Sequence, residues 1–310
     1  MKAIECLKYG DAENLVLSNV KKPTPKSNEV LIKICATSVT TSDVLIRRMD
    51  EPFIPKLILQ LIFGFRRPRN PILGMVSAGI VEAKGKDVTL FEINDEVFAY
   101  GSISPTKRRF GSYAEYICLP EDWNLALKPG NLSFEEAAAI PYGGLLASHL
   151  LKKTSIYKGD KVLIYGASGS IGTMAIQLAK HLGAHVTSAC SGRNFELVTS
   201  LGSDRMIDYT TENAEKQLET YKYVIDTVGH SKSSILKEKS KKALTLNGKY
   251  ISIDHGTPST PKEAFFNLKS LAEQEKLRPI IDSVYSLEKI AEAHKYVEMG
   301  HKRGSVVVTI

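Results

Sequence analysis

Cysteine is scarce in this chain, and its few copies stand far apart. The 310 residues include four cysteines with no CxxC pair among them, at Cys6, Cys35, Cys118 and Cys190. This pattern excludes a disulfide-stapled secreted domain, so we expect reduced thiols. The chain also opens on Met1 to Glu5 directly as a strand, without the basic segment and apolar run of a signal peptide. We therefore expect a cytoplasmic protein.

A strong excess of one charge and a long apolar run are also missing. The 41 basic and 34 acidic residues give a net charge of +7, and the basic clusters lack interleaved aromatics, so we expect no nucleic-acid partner. The most apolar stretch, residues 53–65, is interrupted and shorter than the roughly 20 residues of a membrane span. It is compatible with a membrane interface, beside the basic residues 66–69. The interpretation that we favour is an apolar lid or wall beside an active site.

The pattern of apolar residues divides the chain into two kinds of structure. Short alternating runs, rather than helices, dominate the first third and predict antiparallel strands at 2–6, 15–20, 29–39, 73–82, 96–99 and 111–119, packed as a small barrel. Ser133 and Glu136 then form a capping-box pattern at a helix start. Strands at 161–165, 185–189, 206–209, 223–226 and 250–254 alternate with helical stretches and predict a doubly wound parallel sheet. An amphipathic helix at 287–299, with its apolar face at Ile290, Ala293, His294 and Val297, and a strand at 305–310 return to the first domain.

The most informative segment is the glycine-punctuated run from Val162 to Gly172. An apolar strand precedes the glycines, and apolar residues at helical spacing follow them. This arrangement is typical of the turn that seats a dinucleotide pyrophosphate on a helix N-terminus. We expect the backbone amides of this turn to face the pyrophosphate, and the predicted residues are Gly166, Ser168, Gly169, Ser170, Ile171 and Gly172.

The end of the second parallel strand indicates which dinucleotide binds. In an NAD site a carboxylate at this place holds the ribose, but the chain has Cys190, Ser191 and Arg193 there. A hydroxyl and a guanidinium suit the 2′-phosphate of NADPH, because that phosphate repels a carboxylate and accepts charge-assisted hydrogen bonds. We therefore predict NADPH rather than NADH.

Several segments together resemble the zinc-independent quinone oxidoreductase branch of the medium-chain dehydrogenase/reductases. Residues 73–79 are similar to the "GxxxAG" strand of that family, 94–97 to its "GDxV" turn with Asn in place of Gly, and 111–116 to its "GxYAEY" segment. Residues 166–172 and 201–204 resemble its "GAxGxxG" turn and its "LGAD" segment. The resemblance implies a GroES-like β-barrel catalytic domain over 1–128 and 277–310, a Rossmann NADPH-binding domain over 129–276, and a homodimer.

Departures from the zinc-dependent relatives shape the expected chemistry. Where those alcohol dehydrogenases place a cysteine and a histidine ligand, this chain has Thr40 and Met75, which are poor ligands for Zn²⁺. Without a Lewis acid, the oxidation of simple alcohols lacks its usual stabiliser of the alkoxide. The resemblance therefore implies reduction of a quinone or an α,β-unsaturated carbonyl. The alternatives are a catalytically idle NADPH-binding sensor or scaffold, because Leu146 stands where relatives often carry Thr, and a peripheral membrane reductase of lipid quinones.

Residues outside the glycine turn complete the expected site. Tyr142, Thr40 and Asp43 are the candidate catalytic residues, with Tyr142 either a proton donor or a packing residue. Asp43 is similar to the aspartate of the family's "NxxD" segment. The remaining cofactor candidates follow parallel strands or resemble the family's tail, and they are Tyr209, Val228, Gly229, Ile253, Asp254 and Arg303.

Overall fold

The computed structural model describes residues 1–50, 53–103, 107–231 and 233–310 and, within these ranges, all side chains except those at 53–55, 58 and 231. Its strands are β1 (Lys2–Cys6), β2 (Leu15–Asn19), β3 (Glu29–Val39), β4 (Val76–Lys84), β5 (Glu96–Tyr100), β6 (Tyr116–Pro120), β7 (Asn124–Leu127), β8 (Lys161–Tyr165), β9 (His185–Cys190), β10 (Arg205–Asp208), β11 (Tyr221–Asp226), β12 (Leu244–Ser252), β13 (Ile281–Ser286) and β14 (Ser305–Thr309).

The helices alternate with these strands most regularly in the second half of the chain. They are α1 (Thr41–Arg48), α2 (Phe53–Phe63), α3 (Phe134–Ala139), α4 (Pro141–Leu151), α5 (Ser170–His181), α6 (Phe195–Ser200), α7 (Ile235–Ser240), α8 (Lys262–Glu273) and α9 (Ile290–Glu298).

The chain divides into two compact units. Met1–Pro141 and Ile281–Ile310 form the first unit, and Tyr142–Ile280 forms the second. The first boundary thus follows α3, whereas the sequence analysis placed it ahead of this helix, at residue 128. The reason is that α3 packs against β3, β4 and β14 of the first unit. The second boundary lies at 280 rather than 276.

The first unit is built on a sheet in the order β13-β14-β3-β4-β5-β7, with β6 also pairing with β3. All its strand pairs are antiparallel except β13 with β14. The long strand β3 organises the sheet, because Val30, Ile32 and Ile34 alternate onto one face and pack against apolar residues of β4, β5 and β6. The C-terminal strand β14 pairs with β3, which confirms that the tail returns to this sheet.

Helix α1 of the first unit was not predicted from the sequence, which indicated strands rather than helices in this part of the chain. Thr40 caps this helix: its hydroxyl oxygen accepts the Asp43 N–H at 3.2 Å, and the Asp43 carboxylate accepts the Thr40 N–H at 2.9 Å. Such a reciprocal capping box is a recognisable helix start. The predicted capping box at Ser133 and Glu136 is confirmed at the start of α3.

The second unit carries a parallel sheet in the order β10-β9-β8-β11-β12. Every neighbouring pair is parallel, as the alternation of strands and helices predicted. One predicted strand was wrong in its extent: β12 begins at Leu244 and ends at Ser252, not at 250 and 254. The chain leaves the sheet where the Ile253 N–H donates to the Asp226 carbonyl oxygen and a turn follows.

Helix α9 buries the predicted apolar face, including a histidine. Ile290, Ala293, His294 and Val297 are all buried, which confirms the predicted amphipathic pattern. Both ring nitrogens of His294 are buried without a hydrogen-bond partner among the described residues. Burial lowers the pKa of His294 to about 3, and the nearby Arg47 guanidinium adds to this effect. His294 is therefore neutral in the folded protein.

We predict that His294→Leu makes the fold less sensitive to acid. A histidine in the unfolded chain titrates near 6.5, so the stability that depends on neutral His294 is complete above that pH and is lost as the pH falls toward 3. Between pH 7 and pH 4 the wild type should lose on the order of 3 kcal/mol that the variant retains. The measurement is the free energy of urea unfolding at the two pH values.

The matched control is His181→Leu at an exposed position of α5. It should keep the acid dependence of the wild type. Asp43 contributes in the opposite direction, because burial raises its pKa to about 6 and its stability contribution is lost as the pH rises toward that value. That contribution is common to all three proteins. The same pH dependence in His294→Leu as in the wild type would contradict the prediction.

Candidate functional site

The candidate site lies at the carboxyl edge of the parallel sheet in the second unit. The strand order reverses at β8, with β9 and β10 on one side and β11 and β12 on the other. Ligands of such sheets bind outside the carboxyl ends of the strands at the point of reversal. The residues predicted to bind the cofactor follow these strands, apart from Arg303, which lies in the first unit.

The glycine turn after β8 depends on very close backbone contacts. Gly166 has φ +79°, and a Cβ there would lie 2.5 Å from the Val228 side chain. A Cβ at Gly172 would lie 2.3 Å from the Gly166 carbonyl oxygen. Gly169 differs, because a Cβ there would meet only that same oxygen, at 3.5 Å. Two of the three glycines are thus required by packing, and Gly169 faces open space.

The start of α5 has the features of an anion cradle. Gly169 is the N-cap and supplies no side-chain cap, and the amides of Ile171 and Gly172 in the first turn have no partner within the helix. Beside them, Asn194 donates its side-chain N–H to the Ser168 hydroxyl at 3.0 Å, while its own carbonyl oxygen is buried without a partner among the described residues. The open amides and this buried acceptor fit a bound dinucleotide.

A carboxylate that was not predicted lies beside the loop that follows β9. Asp208 ends the neighbouring strand β10, and its carboxylate lies so close to Gly192 that a Cβ there would meet it at 2.4 Å. Burial works to raise the pKa of Asp208, but hydrogen bonds from Thr210 and from the Gly192 N–H outweigh it and lower the pKa. A negative charge thus stands beside the predicted 2′-phosphate site.

The positive charge predicted for this place is also present. Arg193 is exposed, and it lies close enough to Tyr209 that its charge partly offsets the effect of burial, which raises the pKa of the tyrosine. Ser191 directly follows β9, at the edge of the same loop. Parallel pairing of β9 and β10 therefore brings Ser191, Arg193 and Tyr209 together with Asp208.

The loops after β11 and β12 also meet. A Cβ at Gly229, whose φ is +57°, would lie 2.3 Å from both carboxylate oxygens of Asp254. The Asp254 carboxylate accepts the His230 N–H at 2.5 Å. Val228 contacts Gly166, so the structure brings Val228, Gly229 and Asp254 to the glycine turn, with Ile253 next to them in the chain.

A buried ion pair between Lys237 and Asp226, which was not predicted from the sequence, supports the loop after β11. Lys237 of α7 lies 2.9 Å from the Asp226 carboxylate, with side-chain exposures of 6% and 1%, and also donates to the Gly229 carbonyl oxygen. The second Asp226 oxygen accepts the N–H groups of Val228 and Gly229, each at 3.1 Å. Tyr250 donates to Asp226 at 2.7 Å, and burial followed by this hydrogen bond raises the pKa of Tyr250.

Thr40 and Asp43 lie in the first unit, and both are buried. The Thr40 hydroxyl donates to Asp43 at 2.6 Å and accepts the Asp43 N–H, so both functions of this hydroxyl are used within the helix cap. Burial raises the pKa of Asp43 to about 6, although the hydrogen bonds from Thr40 work to lower it. The second Asp43 oxygen and the Tyr113 hydroxyl are buried without a hydrogen-bond partner among the described residues.

The two other candidates lie in different settings. Tyr142 is the first residue of the second unit and is buried near the start of α4. Its neighbour Gly143 packs so tightly on α5 that a Cβ there would lie 2.3 Å from the Ser170 carbonyl oxygen, which places Tyr142 near the glycine turn. Arg303, in the first unit, is exposed and lies 3.5 Å from the Asp282 carboxylate.

Thr40 and Met75 stand where the zinc-dependent relatives carry a cysteine and a histidine ligand. Met75 is buried, and Thr40 belongs to the helix cap. In the part of the chain that the structure describes, no three His, Cys, Asp or Glu side chains come together as they would around a metal ion.

Comparison with known proteins gives matches over both units. Residues 26–129 match the family described as "Alcohol dehydrogenase GroES-like domain", and residues 256–308 match that described as "Zinc-binding dehydrogenase". A 2-methylene-furan-3-one reductase of Solanum lycopersicum is 34% identical over 328 aligned positions, which cover 99% of this chain and 79% of that protein. An NADPH-dependent alkenal/one oxidoreductase of Arabidopsis thaliana, chloroplastic, is 32% identical with the same coverage.

The fold has equally extensive counterparts among solved structures. The quinone oxidoreductase from Coxiella burnetii matches with a TM-score of 0.85 and 28% identity, covering 100% of this chain and 99% of that one. A structure titled as an NAD-dependent alcohol dehydrogenase matches with a TM-score of 0.84 and 26% identity, with full coverage of both chains. With relatives above 30% identity over nearly its whole length, the chain belongs to the quinone oxidoreductase branch of the medium-chain dehydrogenase/reductase superfamily and is an oxidoreductase with a GroES-like domain and a Rossmann-type dinucleotide-binding domain.

Proposed function

We propose that this protein is an NADPH-dependent, zinc-independent reductase of quinones or α,β-unsaturated carbonyls. The observation that carries the proposal is the cradle at the start of α5, where the first-turn amides of Ile171 and Gly172 adjoin the buried Asn194 side-chain oxygen, which has no partner among the described residues. The names of the two plant relatives, an enone-type reductase and an NADPH-dependent alkenal/one oxidoreductase, support the same class of acceptor.

The backbone of the glycine turn binds the pyrophosphate. Its amides point out of the helix start, and the positive end of the helix dipole favours the negative charge. Ser191, Arg193 and Tyr209 take the adenosine side, with the Arg193 guanidinium paired to the 2′-phosphate. The loop at Val228 and Gly229 takes the nicotinamide side, and Asp226 and Lys237 hold that loop in position.

NADPH held in this way would supply the hydride, and a conjugated carbonyl acceptor would delocalise the negative charge that results. Tyr142 is our candidate for the group that donates a proton to the resulting oxygen anion, because it is buried near the glycine turn. Thr40 and Asp43 act as positioning residues that fix the start of α1, since the Thr40 hydroxyl is fully used in the cap.

Zinc independence follows from the residue types at Thr40 and Met75. Neither a threonine hydroxyl nor a thioether is a preferred ligand of Zn²⁺. Conjugated acceptors need less Lewis-acid help than simple alcohols, because they delocalise the developing charge themselves. We also propose a homodimer, from the family resemblance, and a cytoplasmic location, from the cysteine pattern.

We predict that the purified protein oxidises NADPH with 1,2-naphthoquinone, 9,10-phenanthrenequinone or short 2-alkenals, without stoichiometric zinc. The measurements are the loss of NADPH absorbance with each acceptor and metal analysis of the active protein. NADPH binding without turnover of any of these acceptors would support instead the idle sensor, which Leu146 motivated. Activity proportional to bound zinc would overturn the metal-free part of the proposal.

Arg193→Ala and Asp208→Asn should change coenzyme preference in opposite directions. Removing Arg193 deletes a charge-assisted contact worth roughly 1.5–3 kcal/mol, so NADPH binding should weaken about tenfold or more while NADH binding changes little. Asp208→Asn removes a negative charge beside the phosphate and should strengthen NADPH binding relative to NADH. Calorimetric titration of both coenzymes measures the change, and equal losses for NADPH and NADH in Arg193→Ala would refute the phosphate assignment.

Gly169→Ala and Gly172→Ala form a matched pair that separates cofactor binding from folding. A Cβ at Gly172 would lie 2.3 Å from the Gly166 carbonyl oxygen, so that variant should lose stability, by roughly 1–3 kcal/mol as for other overpacked sites. Gly169 has no such contact, so Gly169→Ala should fold normally but bind NADPH at least tenfold more weakly. Thermal unfolding and NADPH titration provide the two readouts. Normal NADPH affinity in Gly169→Ala would argue against a pyrophosphate at this turn.

A further inference from the structure

The outer side of α2 and the loop after it expose a row of large apolar side chains. Leu57, Leu61, Ile62 and Phe65 are 42%, 54%, 55% and 55% exposed. Leu57 and Leu61 stand one turn apart on α2 and Ile62 follows Leu61, so the three lie within an arc of about 140° around the helix. Contiguous exposed apolar residues mark an interaction surface more often than isolated ones do.

The other side of α2 packs into the hydrophobic core of the first unit. Phe63 is buried and packs edge-on against Phe110 with ring centroids 5.7 Å apart, and Leu59 packs on the same core. The Tyr9 hydroxyl donates to the Gly64 carbonyl oxygen at 2.9 Å just beyond the helix. The exposed apolar residues are therefore presented by a helix that is already anchored.

Four cations lie near the C-terminal end of α2, at Lys8, Arg66, Arg67 and Arg69. All four are exposed, and none forms an ion pair with any residue that the structure describes. Lys8, Arg66 and Arg67 line an open groove of about 470 Å³ together with the exposed Leu7. Three cations around one groove, with no acidic residue among its described lining, make a site for phosphate groups. We call these cations, with Leu57, Leu61, Ile62 and Phe65, the basic apolar face.

Dimension and charge decide which occupant fits the basic apolar face. Helix α2 has 11 residues, about 16 Å, whereas a bilayer core is about 30 Å thick. No helix within the described ranges has both the length and the apolar character to cross a membrane. A second copy of the chain docked about a two-fold axis on this face would bring two sets of the same cations together, which costs energy. An anionic lipid surface matches both the apolar side chains and the cations.

We propose that the basic apolar face docks the protein on anionic lipid bilayers. Helix α2 lies in the plane of the interface, with Leu57, Leu61 and Ile62 at the level of the upper acyl chains. The cations beside it bind lipid phosphates, and the groove at Lys8, Arg66 and Arg67 holds a headgroup. This inference concerns where the protein binds and is independent of the proposed reaction.

Flotation of the full chain with vesicles, without coenzyme or acceptor, tests the proposal. The protein should float with vesicles of 70% phosphatidylcholine and 30% phosphatidylglycerol and much less with phosphatidylcholine alone. Binding should weaken as salt is raised from 0.05 to 0.5 M, because screening shortens the reach of the charges. Free inorganic phosphate at millimolar concentration should not release the protein, which separates a lipid surface from a simple anion site.

Charge and apolar contact are tested by separate variants. Arg66→Glu/Arg67→Glu should lower the vesicle partition coefficient at least tenfold, since each basic residue near an anionic surface contributes about fivefold. Lys239→Glu/Lys242→Glu makes the same change in net charge at exposed positions of the second unit and should bind nearly as the wild type does. Leu61→Ser/Ile62→Ser should lower partition by a similar factor, whereas Leu246→Ser, at a fully exposed leucine of β12, should not.

A variant that gains a fluorescence signal on binding distinguishes a real loss of vesicle binding from misfolding of the other variants. The chain has one tryptophan, Trp123, so Leu61→Trp adds a second one on the proposed contact side. Its fluorescence should be quenched by brominated acyl chains in anionic vesicles more strongly than that of the wild type. Circular dichroism and thermal unfolding should match the wild type for all variants that are scored.

Four results would overturn the proposal. The first is no flotation of the wild type on anionic vesicles at low salt. The second is an equal loss of binding in the Arg66/Arg67 and Lys239/Lys242 variants, which would indicate an effect of net charge alone. The third is a concentration-dependent dimer in sedimentation that Leu61→Ser/Ile62→Ser abolishes without any vesicle binding. The fourth is a raised acceptor KM in Leu61→Ser/Ile62→Ser with no flotation of the wild type, which would make α2 a lid.

Discussion

The close approach of backbone to backbone at the glycine turn is the constraint on which the second unit depends. Because Gly172 lies against the Gly166 carbonyl oxygen and Gly166 lies against Val228, strand β8, helix α5 and the loop after β11 can meet only without side chains at those points. The amides of Ile171 and Gly172, in the first turn of α5, have no partner within the helix and lie at this edge of the sheet. A binding site for a dinucleotide is thus a consequence of how closely the strand and the helix are joined.

Asp226 in the second unit and Asp43 in the first are both buried, but their surroundings differ. In the second unit Asp226 receives a lysine, a tyrosine, a serine and two backbone amides, so its buried charge is fully compensated and the loop at Val228 and Gly229 is held rigid. In the first unit Asp43, Tyr113 and His294 each bury a polar atom without a partner among the described residues. Burial shifts the pKa values of these three groups away from the ordinary range, and for Asp43 and His294 it makes the stability of this core depend on pH.

Features governed by neighbours along the chain were predictable. The periodicity of β3, the capping box at Ser133 and the apolar face of α9 were all legible and correct. The capping box at Thr40 and Asp43 was equally recognisable from the sequence, but these two residues were interpreted as catalytic candidates and the helix start was not predicted. Strands β7 and β13 were missed because their sequences carry little alternation of apolar and polar residues.

The sequence by itself determined the parallel sheet, the position of the phosphate-binding turn and the residue types that favour a coenzyme phosphate, because these depend on spacing within a few residues. Only the tertiary structure showed that Asp208 lies beside the loop that carries Arg193 and that Lys237 pairs with Asp226. It also showed that apolar side chains of α2 are exposed. The physical reason is that strand pairing and helix packing join residues that are far apart in the chain, such as Gly192 with Asp208 and Phe63 with Phe110. No local pattern encodes the charges or the exposure that such residues then acquire.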